Sequence, residues 1–208
     1  MRGPHLSARF IQHALIPASC AAFFACLIVS GAIFYQGKPF KATAAIISDI
    51  ESPEENPHGY AAAAVGTTLC GVMLAPAAIM FFRRLRNGNP KLAKGAAVML
   101  GMGLSAAICV GVLSPCNVRY TRLHARLACA AFLGICGGTL LYFIAARAAR
   151  VLIAFKSCVL LILISSYFGQ HCFNNSELLT SFAFWEWMLC IDCGVGFWVL
   201  SATLGSRR

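Results

Sequence analysis

The chain has 208 residues, 59% of them hydrophobic and 12% charged, and a net charge of +10. A soluble domain carries about 25% charged residues, so a soluble globular fold is excluded, and the recurrent apolar runs of about eighteen residues or more mark membrane spans. The positive charge sits in short segments between those runs, as the positive-inside rule prescribes, and this sets a nucleic-acid partner aside.

Six spans follow in chain order, at about residues 14–35, 60–82, 95–113, 123–144, 151–168 and 179–204. Each is close to the ~20 residues that a bilayer core demands. The expected fold is therefore all-α: one polytopic domain, residues 1–208, built as a six-helix transmembrane bundle. The first run is too long for the apolar core of a cleavable signal peptide. "LIPASC", ending at Cys20, is only loosely similar to a lipoprotein cleavage box, because Pro17 stands where a small or aliphatic residue is needed.

Orientation follows from the basic residues. With the N-terminus inside, the inner segments hold Arg2, Arg9, Arg83, Arg84, Arg86, Lys91, Lys94, Arg147, Arg150, Lys156, Arg207 and Arg208, which is twelve. The outer segments hold Lys38, Lys41, Arg119, Arg122 and Arg126, which is five, together with Asp49, Glu51, Glu54, Glu55 and Glu177. That bias predicts both termini in the cytoplasm. The host membrane is expected to be a bacterial cytoplasmic membrane, or a eukaryotic endomembrane or plasma membrane.

The loop between spans one and two contains "SDIESPEENPHG", Ser48 to Gly59. Two prolines, Asn56 and Gly59 argue against a continuous helix, and a solvated acidic loop is expected. The less polar "KPFKATAAIISDI" before and into it could form a short strand or a cap over the bundle. Pro76 is expected to bend span two. Gly134 and Gly138 form a GxxxG in span four, and Gly101 and Ser105 a similar small pair in span three. Such pairs let helices approach closely, here within one bundle.

Ionisable residues inside spans are costly to keep and so are candidates for function. Glu186 lies about 10 Å into span six at 1.5 Å per residue, between Trp185 and Trp187, a pairing that favours the headgroup boundary. His124 and Arg126 open span four from the same side, and Ser48 and Asp49 precede span two. Ser48, Asp49, His124, Arg126 and Glu186 therefore make a candidate polar pocket in the outer leaflet. A carboxylate and an imidazole can perform acid–base chemistry. They equally make a structural ion-pair network, and no nucleophile motif accompanies them, which weighs toward structure. His58, His124, His171 and Asp49 are metal-ligand types, but their spacing supports no metal site. No cofactor is expected.

Eleven cysteines are present. Most fall within spans, where Cys acts as a small hydrophobe, and "CIDC" at Cys190–Cys193 reads as apolar packing. Cys116 and Cys172 both fall in outer loops and could pair in an oxidising compartment. Asp192 lies about 20 Å below the outer boundary, and Lys156 about 7.5 Å above the inner one on the preceding, antiparallel helix. In a core ~30 Å thick the two lie at nearly one depth. An ion pair between Lys156 and Asp192 is predicted, against the alternative that Lys156 snorkels to the interface.

"IISDIESPEENPHGYAAAAVGTTLCGVMLAPAAIMFFRRL" resembles the Ser-Asp-containing first loop and second helix of the DRAM / Frag-type / SFK-type six-helix membrane proteins and their domain-of-unknown-function relatives. "GMGLSAAICVGVLSP" and then "RLHARLACAAF" resemble that family's third helix, short outer loop and helix-four His. "WEWMLCIDC" is similar to its last helix. The resemblance spans nearly the whole chain. It places Ser48 and Asp49 on the loop motif, His124 on the helix-four His, and Glu186 and Trp187 on the helix-six pair. The family usually continues Ser-Asp with a glycine, where this chain has Ile50 and Glu51. Eukaryotic members are linked to lipid remodelling, phosphoinositide regulation and autophagy. The resemblance thus implies a lipid-related role at the outer leaflet, with membrane lipids as partners, and no particular reaction. An enzyme acting on lipid headgroups or acyl chains, and a small-solute transporter, are the alternatives. A transporter often shows inverted repeats and broken helices, and neither is visible here.

Overall fold

A computed structural model of the chain describes residues 7–36, 47–113, 120–168 and 182–205. Those residues form six long helices: α1 Ala8–Tyr35, α2 Tyr60–Leu85, α3 Pro90–Leu113, α4 Tyr120–Ala145, α5 Arg150–Phe168 and α6 Phe182–Gly205. A single helical turn, Ile47–Ile50, stands between α1 and α2. No strand occurs among the described residues. Five stretches are long and apolar enough to cross a membrane: α1, α2, α3, Leu123–Ala145 of α4 and Ala183–Leu204 of α6. Their outward faces carry Ile28, Val65, Val72, Val98, Met102 and Val195, all exposed. A water-facing surface of that kind would be an extended apolar patch, whereas lipid solvates it without cost.

α1 begins six residues before the expected span. Ser7 caps it by accepting from the Phe10 N–H at 3.1 Å, and Ile11–Leu15 is wound as a π-helix. Pro17 explains the wide turn: it has no N–H to give the preceding turn, and local widening is a common way to absorb an interrupted hydrogen-bond ladder. α3 also starts early, at Pro90, with the Asn89 side chain accepting from the Leu92 N–H at 3.3 Å. α2 runs on through Pro76 as one helix.

Small residues set the helix spacing. A Cβ added to Gly103 of α3 would lie 2.6 Å from the Ile135 backbone nitrogen, and one on Gly134 of α4 would lie 2.5 Å from the Gly103 Cα. A Cβ on Gly138 would lie 2.7 Å from the Leu100 nitrogen. The Gly134–Gly138 pair therefore works inside the monomer, where α3 and α4 form the most extensive interface of the bundle. Its partner on α3 is Gly103 rather than the expected Gly101, beside which a Cβ would meet nothing within 4 Å. α1, α2, α3 and α4 follow one another in space as in sequence, and α6 closes the bundle against α1, α2 and α4. Phe197 of α6 meets Phe81 of α2 at a ring separation of 5.8 Å, and Phe81 meets Tyr142 of α4 at 5.7 Å. α5 packs on α4 and α6 at the periphery. At the end bearing the α2–α3 link, Arg84 donates to the carbonyl of Leu204, near the end of α6, at 2.6 Å. This places a cation on the negative end of a helix.

The expected solvated loop is instead pinned to the opposite end of the bundle. Glu54, Glu55, Pro57 and His58 are exposed, but Ile47, Ile50, Glu51 and Asn56 are buried. Ser30, fully buried in α1, donates to the Ile50 carbonyl at 3.1 Å or to the Gly59 carbonyl at 2.9 Å. The Asn56 amide reaches the Ile50 carbonyl at 2.8 Å and the Ser30 hydroxyl at 3.0 Å, and its carbonyl oxygen accepts from the Gly59 N–H at 3.1 Å. Buried polar groups need such partners, and these ones tie the segment to α1. Of the run Lys38 to Ile50, expected as a short strand or cap, residues 38–46 lie outside the described residues and Ile47–Ile50 is the helical turn rather than a strand.

Candidate functional site

Beneath the pinned segment lies a cavity of about 110 Å³. Its walls follow helical periodicity, because residues three, four and seven apart share a face. α2 presents Thr67, Cys70, Gly71 and Leu74; α4 presents His124, Ala128, Ala131, Phe132 and Ile135; α6 presents Glu186, Cys190, Cys193, Gly194 and Phe197. Phe23 and Phe24 of α1 and Leu104 and Val110 of α3 complete the apolar wall, and Ile47 and Glu51 roof it. Thr67, His124 and Glu186 stand near the helix ends next to that roof.

Two carboxylates hold the roof in place. The Ile47 N–H donates to Glu186 Oε2 at 2.5 Å, so an acid of α6 caps the first residue of the Ile47–Ile50 turn. At the other end of the turn, Glu51 accepts from the hydroxyl of Thr67 in α2. Glu51 lies outside the spanning helices, and burial pushes its carboxyl up from 4.5 to about 7, with the Thr67 bond pulling the other way. Desolvation penalises the ionised form, so this carboxyl changes charge near neutrality.

Of the five residues expected to form a polar pocket, His124 and Glu186 line the cavity. Arg126 is exposed and does not line it. It stands two residues from His124, about 200° around the helix, on the opposite face. Asp49 is half-buried and does not line the cavity, and the turn's own geometry explains this. Ile47, Ile50 and Glu51 occupy positions i, i+3 and i+4 on the inward face, whereas Asp49 at i+2 points away from it. The Ser48 side chain lies outside the described residues, as do Cys116, Cys172 and His171.

Glu51 and Thr67 are the polar cavity residues that sequence reasoning missed. A signal existed for Glu51: an acid in register with Ile47 and Ile50 marks one face of a turn. Cys190 and Cys193 do face protein, and Cys193 Sγ lies 3.6 Å from Sγ of Cys136 in α4. Away from the cavity, Lys156 Nζ of α5 lies 2.6 Å from Asp192 Oδ2 of α6, with both side chains almost fully buried. Lys156 also reaches the Asp192 backbone oxygen at 3.3 Å.

Fold and site together define a class: an all-helical, multi-pass integral membrane protein with a mainly apolar cavity whose polar residues gather at one end. No family model, no curated protein and no solved structure matches the chain.

Proposed function

We propose that this protein engages a membrane lipid in the cavity beneath the Ile47–Gly59 segment, as a six-span bundle with both termini in the cytoplasm. The observation that carries this reading is the cavity's polarity. Aromatic and aliphatic walls suit a hydrocarbon chain, and Glu51, Thr67, His124 and Glu186 offer a polar head its hydrogen bonds. A concave, mostly apolar site with a few convergent polar groups is the usual form of a small-molecule pocket. α5 supplies the sixth span. Its 19 residues reach about 28 Å, and its buried charge is met by Asp192. The basic bias supports an orientation with the Ile47–Gly59 end at the outer leaflet. The resemblance of the Ser48–Asp49, His124 and Glu186–Trp187 motifs to the DRAM / Frag-type / SFK-type proteins suggests the same lipid-related role.

Native mass spectrometry of the protein released from nanodiscs tests the reading. The parent should retain lipid, and Ala128→Phe, which fills the cavity from α4, should lose it. Equal retention by the two proteins refutes the site. Chemistry on the bound headgroup is the second reading, favoured by an imidazole and two carboxylates in one cavity. Hydrolysis of a labelled lipid by the parent but not by His124→Asn would establish it.

A further inference from the structure

The chain carries seventeen Lys and Arg residues against seven acids, yet the cavity inverts that balance. Two of the seven acids, Glu51 and Glu186, line it, and no Lys or Arg is among the described residues that do. Above pH 7, where Glu51 is ionised, a phosphate or carboxylate head placed there would meet like charge in a mainly apolar site, where repulsion is little screened. A cationic head would meet complementary charge and two carboxylate acceptors. A volume of about 110 Å³ leaves room beside that head for a stretch of one hydrocarbon chain.

We propose that the cavity selects a lipid with a primary-amine head, its ammonium set against Glu51 and Glu186 and one hydrocarbon chain along Phe23, Phe24, Phe132 and Phe197. This rests on the reading of the cavity as a lipid site. Selection comes from exclusion as much as attraction, because the same two acids that receive the amine reject the anionic heads abundant in membranes. The exposed Glu54 and Glu55 of the same segment lie in water, where their charge is screened and steers without selecting.

Four probes of one chain length isolate the head: dodecylamine, dodecanol, dodecanoate and dodecyl phosphate. They are titrated at pH 8, where Glu51 is ionised, into the full chain in a neutral maltoside detergent. Fluorescence of Trp187 reports binding, since it packs on the same buried cluster, with Ile47 and Cys190, as the cavity residues Phe23, Phe24 and Phe132. Trp185→Phe and Trp198→Phe silence the other two tryptophans. Dodecylamine should bind at least tenfold more tightly than each of the other three. Glu51→Gln and Glu186→Gln should each weaken it fivefold or more, their combination should erase the preference, and Glu54→Gln should leave it unchanged. Gln keeps an acceptor for the Ile47 N–H; where Glu186→Gln still fails to fold, Glu51→Gln carries the comparison.

Equal affinity for the four heads, or a preference that survives the double Gln variant, overturns the amine assignment. If Ala128→Phe abolishes that binding, the lipid reading still stands. Binding of all four probes that is indifferent to Ala128→Phe overturns both.

Discussion

The buried pair between α5 and α6 should be strongly coupled, and a double-mutant cycle of Lys156→Met and Asp192→Leu measures how strongly. The ammonium lies 2.6 Å from the carboxylate, and the side chains are 3% and 6% exposed. Removing one partner strands a charge in a low-dielectric site, which costs about 3–5 kcal/mol. Removing both leaves two apolar side chains of similar bulk, a change that is often neutral or stabilising by about 1–4 kcal/mol. The two single losses would sum to about 6–10 kcal/mol, so the coupling energy should be several kcal/mol. Thermal unfolding in detergent reads this directly. Each single variant should lose on the order of 10 °C, given about 2–4 °C per kcal/mol for a domain of this size. The double variant should melt near the parent. Additive losses would show that the two charges act independently and would refute the pairing as an energetic unit. Were α5 held by apolar packing alone, Lys156→Met would itself be neutral or stabilising, so the single variants are as informative as the double one.

Two further outcomes follow from backbone approach and from burial. Gly103→Ala should cost about 1–3 kcal/mol, because its Cβ would lie 2.6 Å from the Ile135 backbone nitrogen. Gly101→Ala, opening onto empty space, should be neutral or gain up to about 1 kcal/mol; equal melting shifts for the two would refute the packed face. Glu51 binds its proton more tightly folded, near pH 7, than at its ordinary 4.5, so the folded state holds more protons than the unfolded across that interval. Its contribution is fully present below about pH 4.5 and is lost as pH rises through 7, to a limit of about 3 kcal/mol. Glu51→Gln should therefore match the parent at pH 4.5 and exceed it at pH 8, and parallel melting curves across that range would refute the assignment.

Five of the helices were legible because each is apolar over the length of a bilayer and is bounded by charge or turn residues, a local property that needs no knowledge of neighbours. The depth of Lys156 and Asp192 was legible for the same reason, since rise per residue converts position into height on two consecutive helices. Azimuth was less accessible. Gly101 and Gly103 are both small residues in one span, and either could have served the interface. Only the partner helix selects Gly103, by bringing Gly134 against it. The early start of α1 depended on a π turn ahead of Pro17, a distortion that no apolar count registers.

The polar site was half legible, and the division has a physical cause. His124 and Glu186 stood out because each is an ionisable residue in an apolar helix, where the expense of keeping it is visible in the sequence. Arg126 shares their depth, although the 3.6-residue period turns it to the far face of α4. Glu51 was hidden in a run of acids with Asp49, Glu54 and Glu55, which as composition reads as water-facing. Its burial comes from closure across the chain: Ser30 lies 20 residues before Ile50 and 29 before Gly59, and Glu186 lies 139 residues after Ile47. One buried serine in an apolar helix and one asparagine in an acidic loop carry no local sign that they meet. Once they do, the Ile47–Ile50 turn is fixed with one face inward. That face carries the acid at i+4 into a mainly apolar cavity beside His124 and Glu186, and there its carboxyl becomes both a fastening to Thr67 and a charge for a ligand to meet.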